Sequence, residues 1–167
     1  CVGIARRGAV AVAGGDQELW LRRLDAELPN LVAAMEWSRA GGALADGMVI
    51  GAALGRYWSA RAAYREGRRQ LEALLAHPAA GEVPVTIRVD ALVALGSLTH
   101  LMCEYRSASD RLEEARRLLE DLDDAPRLAQ VLNHMAWIAA QVDPLDEAEV
   151  TAREALAVNE SVGDARG

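Results

Sequence analysis

Apolar residues recur every three to four positions along most of this 167-residue chain, the spacing that collects them on one face of an α-helix. Glycine or proline interrupts these periodic stretches, as expected where helices begin and end. The pattern predicts an all-α fold of about eight helices. Their approximate ranges are 16–28, 30–41, 45–60, 64–76, 84–103, 107–121, 126–141 and 143–163.

The first part of the chain is the least regular. Residues 1–15 are rich in alanine and glycine, and we expect them to form a frayed end or the stub of a truncated helix. Pro29 lacks a backbone N–H, so it is expected to end one helix or to begin the next. Residues 16–42 would then form a leading helix pair. Three further pairs are predicted over about 43–77, 84–121 and 126–163, and Asp143-Pro144 is expected to start the last helix.

The three later pairs share one sequence register. The first helix of each pair has a large apolar residue followed by a small one, at Leu54-Gly55, Leu95-Gly96 and Met135-Ala136, with shifts of 41 and then 40 residues. The positions 12, 16 and 19 residues after each small residue also match: Gly67, Leu71 and Leu74; Ala108, Leu112 and Ala115; Ala148, Ala152 and Ala155. Small residues let helices approach closely, and one pair cannot bury its apolar face alone. The repeat therefore predicts stacked helix pairs.

This large-then-small pattern, with alanine and leucine at fixed positions of the second helix, resembles the tetratricopeptide repeat, although that family's unit is about 34 residues. Three segments extend the resemblance: 15–27 (GDQELWLRRLDAE), 30–37 (NLVAAMEW) and 64–72 (YREGRRQLE). They resemble the region leading into the repeats of bacterial LuxR-type regulators of the STAND class of ATPases. The resemblance implies a right-handed α-solenoid that follows an ATP-binding module, and in many members a DNA-binding helix-turn-helix domain elsewhere.

Composition narrows the functional classes. All 18 basic residues are arginine, which excludes phosphate-loop and Schiff-base lysines from this segment. The net charge of −7 argues against direct nucleic-acid binding. A local basic cluster is therefore predicted to be a solvated helix face: Arg56, Arg61, Arg65, Arg68 and Arg69. No apolar run approaches the roughly 20 residues of a membrane span. The two cysteines form no disulfide framework, which fits a cytoplasmic location.

The chain offers little catalytic or metal-binding chemistry. The three histidines, His77, His100 and His134, lack the paired spacing of zinc ligands, so no metal site and no cofactor are expected. His100 and Cys103 lie one helical turn apart, which leaves a thiol–imidazole enzyme as an alternative, but no oxyanion site accompanies them. Cys103 is more simply explained as a small buried residue. Three tryptophans are predicted to lie in the core: Trp20, Trp37 and Trp58.

In tetratricopeptide arrays the first helix of each pair lines the concave surface, so the resemblance implies a groove along these helices. By register, eight residues would face it: Arg56, Ser59, Asp90, Ser97, His100, Gln130, Asn133 and Trp137. The expected occupant is a protein, a peptide or a small effector, and a solvated groove without a ligand is the alternative. We expect a non-catalytic interaction or effector-sensing segment of a larger cytoplasmic regulator, plausibly of transcription, in contact with its own ATPase module. The second hypothesis is a stand-alone scaffold that assembles a protein complex.

Overall fold

The computed structural model describes residues 1–12, 17–142 and 145–164, except for the side chains at 145–147 and 164. These residues form α-helices α1 to α8 and one 3-10 helix, Pro78–Glu82, which confirms the predicted all-α class. In chain order the α-helices are Val2–Ala11, Gln17–Arg39, Leu44–Ala60, Tyr64–Leu75, Val85–Leu101, Tyr105–Leu119, Ala125–Val142 and Leu145–Asp164. Asp143-Pro144 lies outside the described residues. Within the described ranges, no helix has both the length and the apolar character needed to cross a bilayer.

The predicted break at Pro29 is wrong, because α2 continues through this residue. A proline in a helix interior costs about 3 kcal/mol, since it removes a backbone hydrogen bond and crowds the preceding turn. Leu24, Leu31 and Met35 lie on either side of Pro29 in α2 and are all buried. Full burial of a leucine or methionine side chain contributes about 1.5–3 kcal/mol. Burial on both sides of the proline therefore outweighs its cost, and the two predicted helices are one.

Helix α1 is an ordered helix that packs against α2. It packs against both α2 and α3, and its buried residues are Ala5 and Gly8, so residues 2–11 are helical and not frayed. A Cβ on Gly8 would lie 3.0 Å from Cδ1 of Leu24, which is 16 residues later. Gly96 in α5 faces Leu112 in α6 at the same offset, with 3.1 Å between an added Cβ and Cγ of Leu112. The leading pair is therefore α1 with α2, and not two helices within 16–42.

Helices α3 to α8 contact their neighbours in chain order. Helix α3 packs on α4, α5 on α6 and α7 on α8, and successive pairs meet through contacts of α3 and α4 with α5 and of α6 with α7. Equivalent register positions of the first two pairs are buried: Leu54 and Leu95, Leu71 and Leu112, Leu74 and Ala115. In the last pair Ala148 and Ala155 are buried, whereas Ala152 is exposed. The sequence repeat thus corresponds to a repeated packing arrangement in which the last pair leaves one register position uncovered.

In the first repeat, a large side chain on α3 packs against a glycine on α4. Trp58 is completely buried, and a Cβ on Gly67 would lie 2.6 Å from Cε3 of its indole ring. The ring therefore occupies the space that a side chain at Gly67 would need. In the later pairs the position of Trp58 is taken by Thr99 and Ala139, and the position of Gly67 is taken by alanine. A large residue in the first helix is thus matched by the smallest residue in the second.

Ion pairs connect successive helix pairs. Four of them join residues 36 to 38 positions apart: Asp25–Arg61, Arg68–Glu104, Asp90–Arg127 and Arg116–Glu154. In the first pair, hydrogen bonds from Arg61 lower the pKa of Asp25. The Tyr57 hydroxyl also donates to Asp25, and burial together with this bond raises the pKa of Tyr57 to about 12. Partly exposed ion pairs contribute little individually, about 0–1 kcal/mol each, but these recur at every junction.

Three of the five arginines in the basic cluster are paired with carboxylates. Arg61 pairs with Asp25, Arg68 with Glu72 and Glu104, and Arg69 with Glu66, at N–O distances of 2.6 to 2.8 Å. These contacts agree with a solvated helix face stabilised by carboxylates. They do not leave the continuous positive surface that phosphate binding requires.

Two residues predicted to be buried, Trp37 and Cys103, are exposed. Trp58 is buried as predicted, but Trp37 is 66% exposed, and its ring covers the backbone at Gly42 beyond the end of α2. Trp20 is intermediate, with the Arg23 guanidinium 5.0 Å from its ring centroid. Cys103 is exposed in the turn between α5 and α6, where its φ of 60° places it in the left-handed region. A residue that makes this turn cannot also fill the core.

Candidate ligand groove

The odd-numbered helices line a large cavity. Its volume is about 900 Å³, and side chains from α1, α3, α5 and α7 border it. Five residues predicted from the register lie there: Arg56, Ser59, Asp90, Ser97 and Gln130. The repeat brings them together because equivalent positions of neighbouring helices face the same side.

A second cavity, of about 420 Å³, adjoins the first and shares Ser97 and His134 with it. It contains the other three predicted residues, His100, Asn133 and Trp137. We refer to these two cavities together as the groove. All eight predicted residues line it. Trp137 and Asn133 also border a third cavity, of about 700 Å³, between α7 and α8.

Three titratable side chains of the lining were missed by sequence reasoning: Arg6, Arg127 and His134. Arg6 lies in α1, and the sequence of residues 1–15 has no repeat register that would place Arg6 on the groove face. His134 follows Gln130 by one helical turn on α7, and that spacing was a usable signal. Arg127 contacts α5 through a pairing across 37 residues, for which local spacing gives no signal.

Asp90 is committed to an ion pair. Arg127 donates from Nε to one carboxylate oxygen at 2.9 Å and from Nη2 to the other at 3.3 Å. Arg127 also donates to Asp124 at 2.6 Å, and these hydrogen bonds raise the pKa of Arg127. The bidentate geometry fixes both side chains, although Arg127 shares its one positive charge between Asp90 and Asp124. Asp90 lines the groove, but as part of this ion-paired cluster and not as a free carboxylate.

Arg6 and Arg56 differ from Arg127. Both are exposed at the groove, and neither makes a hydrogen bond or an ion pair with the described residues. The nearby hydroxyls are partly used, because Ser59 donates to the Gly55 carbonyl and Ser97 to the Val93 carbonyl. Their oxygens remain able to accept a hydrogen bond. This end of the groove therefore presents two unpaired guanidinium groups among small polar side chains.

The second cavity is aromatic, and its described lining contains no carboxylate or guanidinium group. The His100 ring contacts Tyr105 and Trp137 edge-on, with centroids 5.6 and 6.1 Å apart. Burial, together with the nearby His134, lowers the pKa of His100, which favours the neutral ring. Nε2 of His100 lies 3.3 Å from the Gln141 amide nitrogen, which donates to it when the ring is neutral. Trp137 is 71% exposed and presents its ring to solvent.

Asn133 is held by a reciprocal amide pair. Its Nδ2 donates to Asn159 Oδ1 at 3.4 Å, and Asn159 Nδ2 donates to Asn133 Oδ1 at 2.8 Å. The pair joins α7 to α8 and holds a polar group in the same cavity lining as Trp137.

The thiol–imidazole pair is not formed among the described contacts. Neither ring nitrogen of His100 bonds to Cys103: Nε2 faces Gln141, and Nδ1 is buried without a hydrogen-bond partner in the described part of the chain. The Cys103 thiol is hydrogen-bonded to Tyr105 instead and raises the pKa of that phenol. Among the described residues, no three histidine, cysteine or carboxylate side chains converge as metal ligands do.

Comparisons of the chain with protein-family models, with curated proteins and with solved structures find no match. The fold class and the groove therefore rest on the chain's own helices. The resemblance to the repeat region of LuxR-type regulators stays a prediction.

Proposed function

We propose that this chain is a non-catalytic binding segment, a right-handed α-solenoid of tetratricopeptide-like helix pairs that holds a partner or effector in its groove. One observation carries the proposal. Eight residues chosen by sequence register, on α3, α5 and α7, line two adjoining cavities. A shared register that produces a shared surface is typical of repeat proteins, whose stacked units create extended binding surfaces.

A sensing role follows from the way the groove is built. Its walls come from four separate helix pairs, so a ligand that spans the groove contacts all of them at once. Such a ligand binds best to one relative arrangement of the pairs and shifts the population toward it. In the regulator that the sequence resembles, this shift would reach an attached ATPase module as a coupling free energy between two sites. The proposed setting is a cytoplasmic regulator, plausibly of transcription.

A stand-alone scaffold is the second candidate. The same groove serves it, because binding does not require an ATPase. The neutralised arginines of α4 favour protein partners over nucleic acid for either candidate.

Photo-crosslinking in the full-length protein tests the binding role. A photoreactive residue replaces Gln130, an exposed groove residue, and in a matched variant it replaces Arg117, an exposed residue of α6 outside the groove. We expect a discrete adduct in host cells from position 130 and none from 117. Equal labelling from both positions, or no adduct from 130, contradicts the proposal.

The gene on either side of this segment separates the two candidates. An upstream phosphate-loop motif makes the chain the sensor arm of an ATP-driven regulator, and a helix-turn-helix in the same reading frame directs that regulator to DNA. If neither is present, the regulator hypothesis is rejected and the scaffold hypothesis remains.

A further inference from the structure

The groove has an uneven charge. In its larger cavity the described lining has three guanidinium groups, those of Arg6, Arg56 and Arg127, and a single carboxylate, that of Asp90, which is paired with Arg127. The lining is therefore positive, although the chain as a whole carries −7. A cleft of one sign focuses the field and raises the local concentration of ligands of opposite charge.

The other end of the groove lacks this charge. Around Trp137, the smaller cavity is lined by Leu101, Ile138 and several polar side chains, and by no carboxylate or guanidinium of the described residues. The exposed face of Trp137 offers apolar area to a ligand side chain, and tryptophan is enriched among the residues that dominate binding energy. The two ends therefore favour different ligand groups.

The distance between the ends sets the length of the ligand. Arg56 and Trp137 lie on α3 and α7, two helix spacings apart, and packed helices are separated by 8–10 Å, which gives roughly 16–20 Å. An extended chain advances about 3.3 Å per residue, so five or six residues bridge this gap. A small carboxylate or a single phosphate group reaches only one end.

We propose that the groove binds an extended acidic peptide segment, with carboxylates facing Arg6 and Arg56 and an apolar side chain, about five or six residues along, packed on Trp137. This inference rests on the proposed binding role and names the chemistry of the partner. The carboxylates replace water around guanidinium groups that have no other described partner, and charge-assisted bonds of this kind are stronger than neutral ones. The apolar residue fixes the register of the peptide along the groove.

Selection from a random dodecapeptide display library tests the inference on the purified segment. We expect enriched peptides to carry aspartate or glutamate at one end and leucine or an aromatic residue five or six positions away. The double variant Arg6→Glu with Arg56→Glu should weaken binding of a selected peptide at least tenfold. The matched variant Arg65→Glu with Arg117→Glu makes the same change in net charge outside the groove and should leave binding unchanged. Trp137→Ala should weaken the selected peptide but not its analogue without the apolar residue.

Other results overturn the inference. These are enrichment of basic or uncharged peptides, no enrichment, equal binding by the Arg6 and Arg56 double variant, or equal competition by citrate, which carries carboxylates without an apolar end. Any of them combined with a crosslink from position 130 rejects the acidic peptide and leaves the proposed binding role intact. Absence of both peptide binding and that crosslink rejects both proposals.

Discussion

Replacing Gly67 with alanine tests the packing of the first repeat pair. In an open helix this change is favourable by about 1 kcal/mol, because glycine is the poorer helix former. Here the new Cβ would lie 2.6 Å from both the Trp58 ring and Cδ1 of Leu98, neither of which is exposed. Overpacking of a dense core costs about 1–3 kcal/mol. The short separations place Gly67→Ala near the upper end of that cost, so we expect a net loss of about 1–2 kcal/mol.

Gly163→Ala is the matched control, because Gly163 also lies in a helix but has no neighbour within 4 Å of an added Cβ. The control should gain stability where Gly67→Ala loses it. The assay is urea unfolding followed by helical circular dichroism, with midpoints compared between variants since a repeat array need not unfold in two states. Trp58→Leu removes one of the two obstacles and leaves Leu98, so the cost of Gly67→Ala should fall in that background, with a coupling of about 0.5–3 kcal/mol. If Gly67→Ala matches Gly163→Ala, or if its cost is undiminished beside Trp58→Leu, the packing argument is wrong.

Three further predictions concern single residues. Pro29→Ala should raise the free energy of unfolding by about 1–3 kcal/mol in the same assay, because it restores a helical hydrogen bond; an unchanged midpoint would show that α2 carries no such cost. The pKa of His100 is lowered in the fold, so the stability it contributes is present above the unfolded pKa of 6.5 and is lost as the pH falls below it. The unfolding midpoint of His100→Gln should therefore fall less than that of the parent between about pH 7.5 and about pH 5.5, and parallel curves would contradict this. Arg127→Met should lower the free energy of unfolding at low salt by no more than about 1 kcal/mol, and the difference from the parent should shrink at about 1 M salt, where charges are screened; a difference independent of salt would exclude the ion pairs with Asp90 and Asp124 as its cause.

The later helices could be predicted from sequence because glycine and proline separate them and large apolar residues mark their buried faces. The first two helices could not. Helix α1 buries only Ala5 and Gly8, whose small side chains give almost no periodic signal. Pro29 gave a strong local signal that was overridden by burial of Leu24, Leu31 and Met35 on both sides of it.

The groove shows the same limit. Register alone selected eight residues that line the two cavities, because it decides which face of a helix a residue occupies. It could not show that Asp90 is ion-paired, since its partner Arg127 is 37 residues away and their contact depends on how neighbouring pairs are offset. Nor could it include Arg6, which required knowing that α1 packs beside α3.

Oxidative footprinting of two tryptophans tests most directly whether the groove is the binding surface. Trp137 in the groove and Trp37 outside it are similarly exposed, at 71% and 66%, so they should be oxidised at similar rates in the purified segment. In the full-length protein within its host cell, we predict that Trp137 becomes protected several-fold relative to Trp37. An unchanged ratio of the two rates would contradict the account, because the groove would then be open to solvent where its ligand should be present.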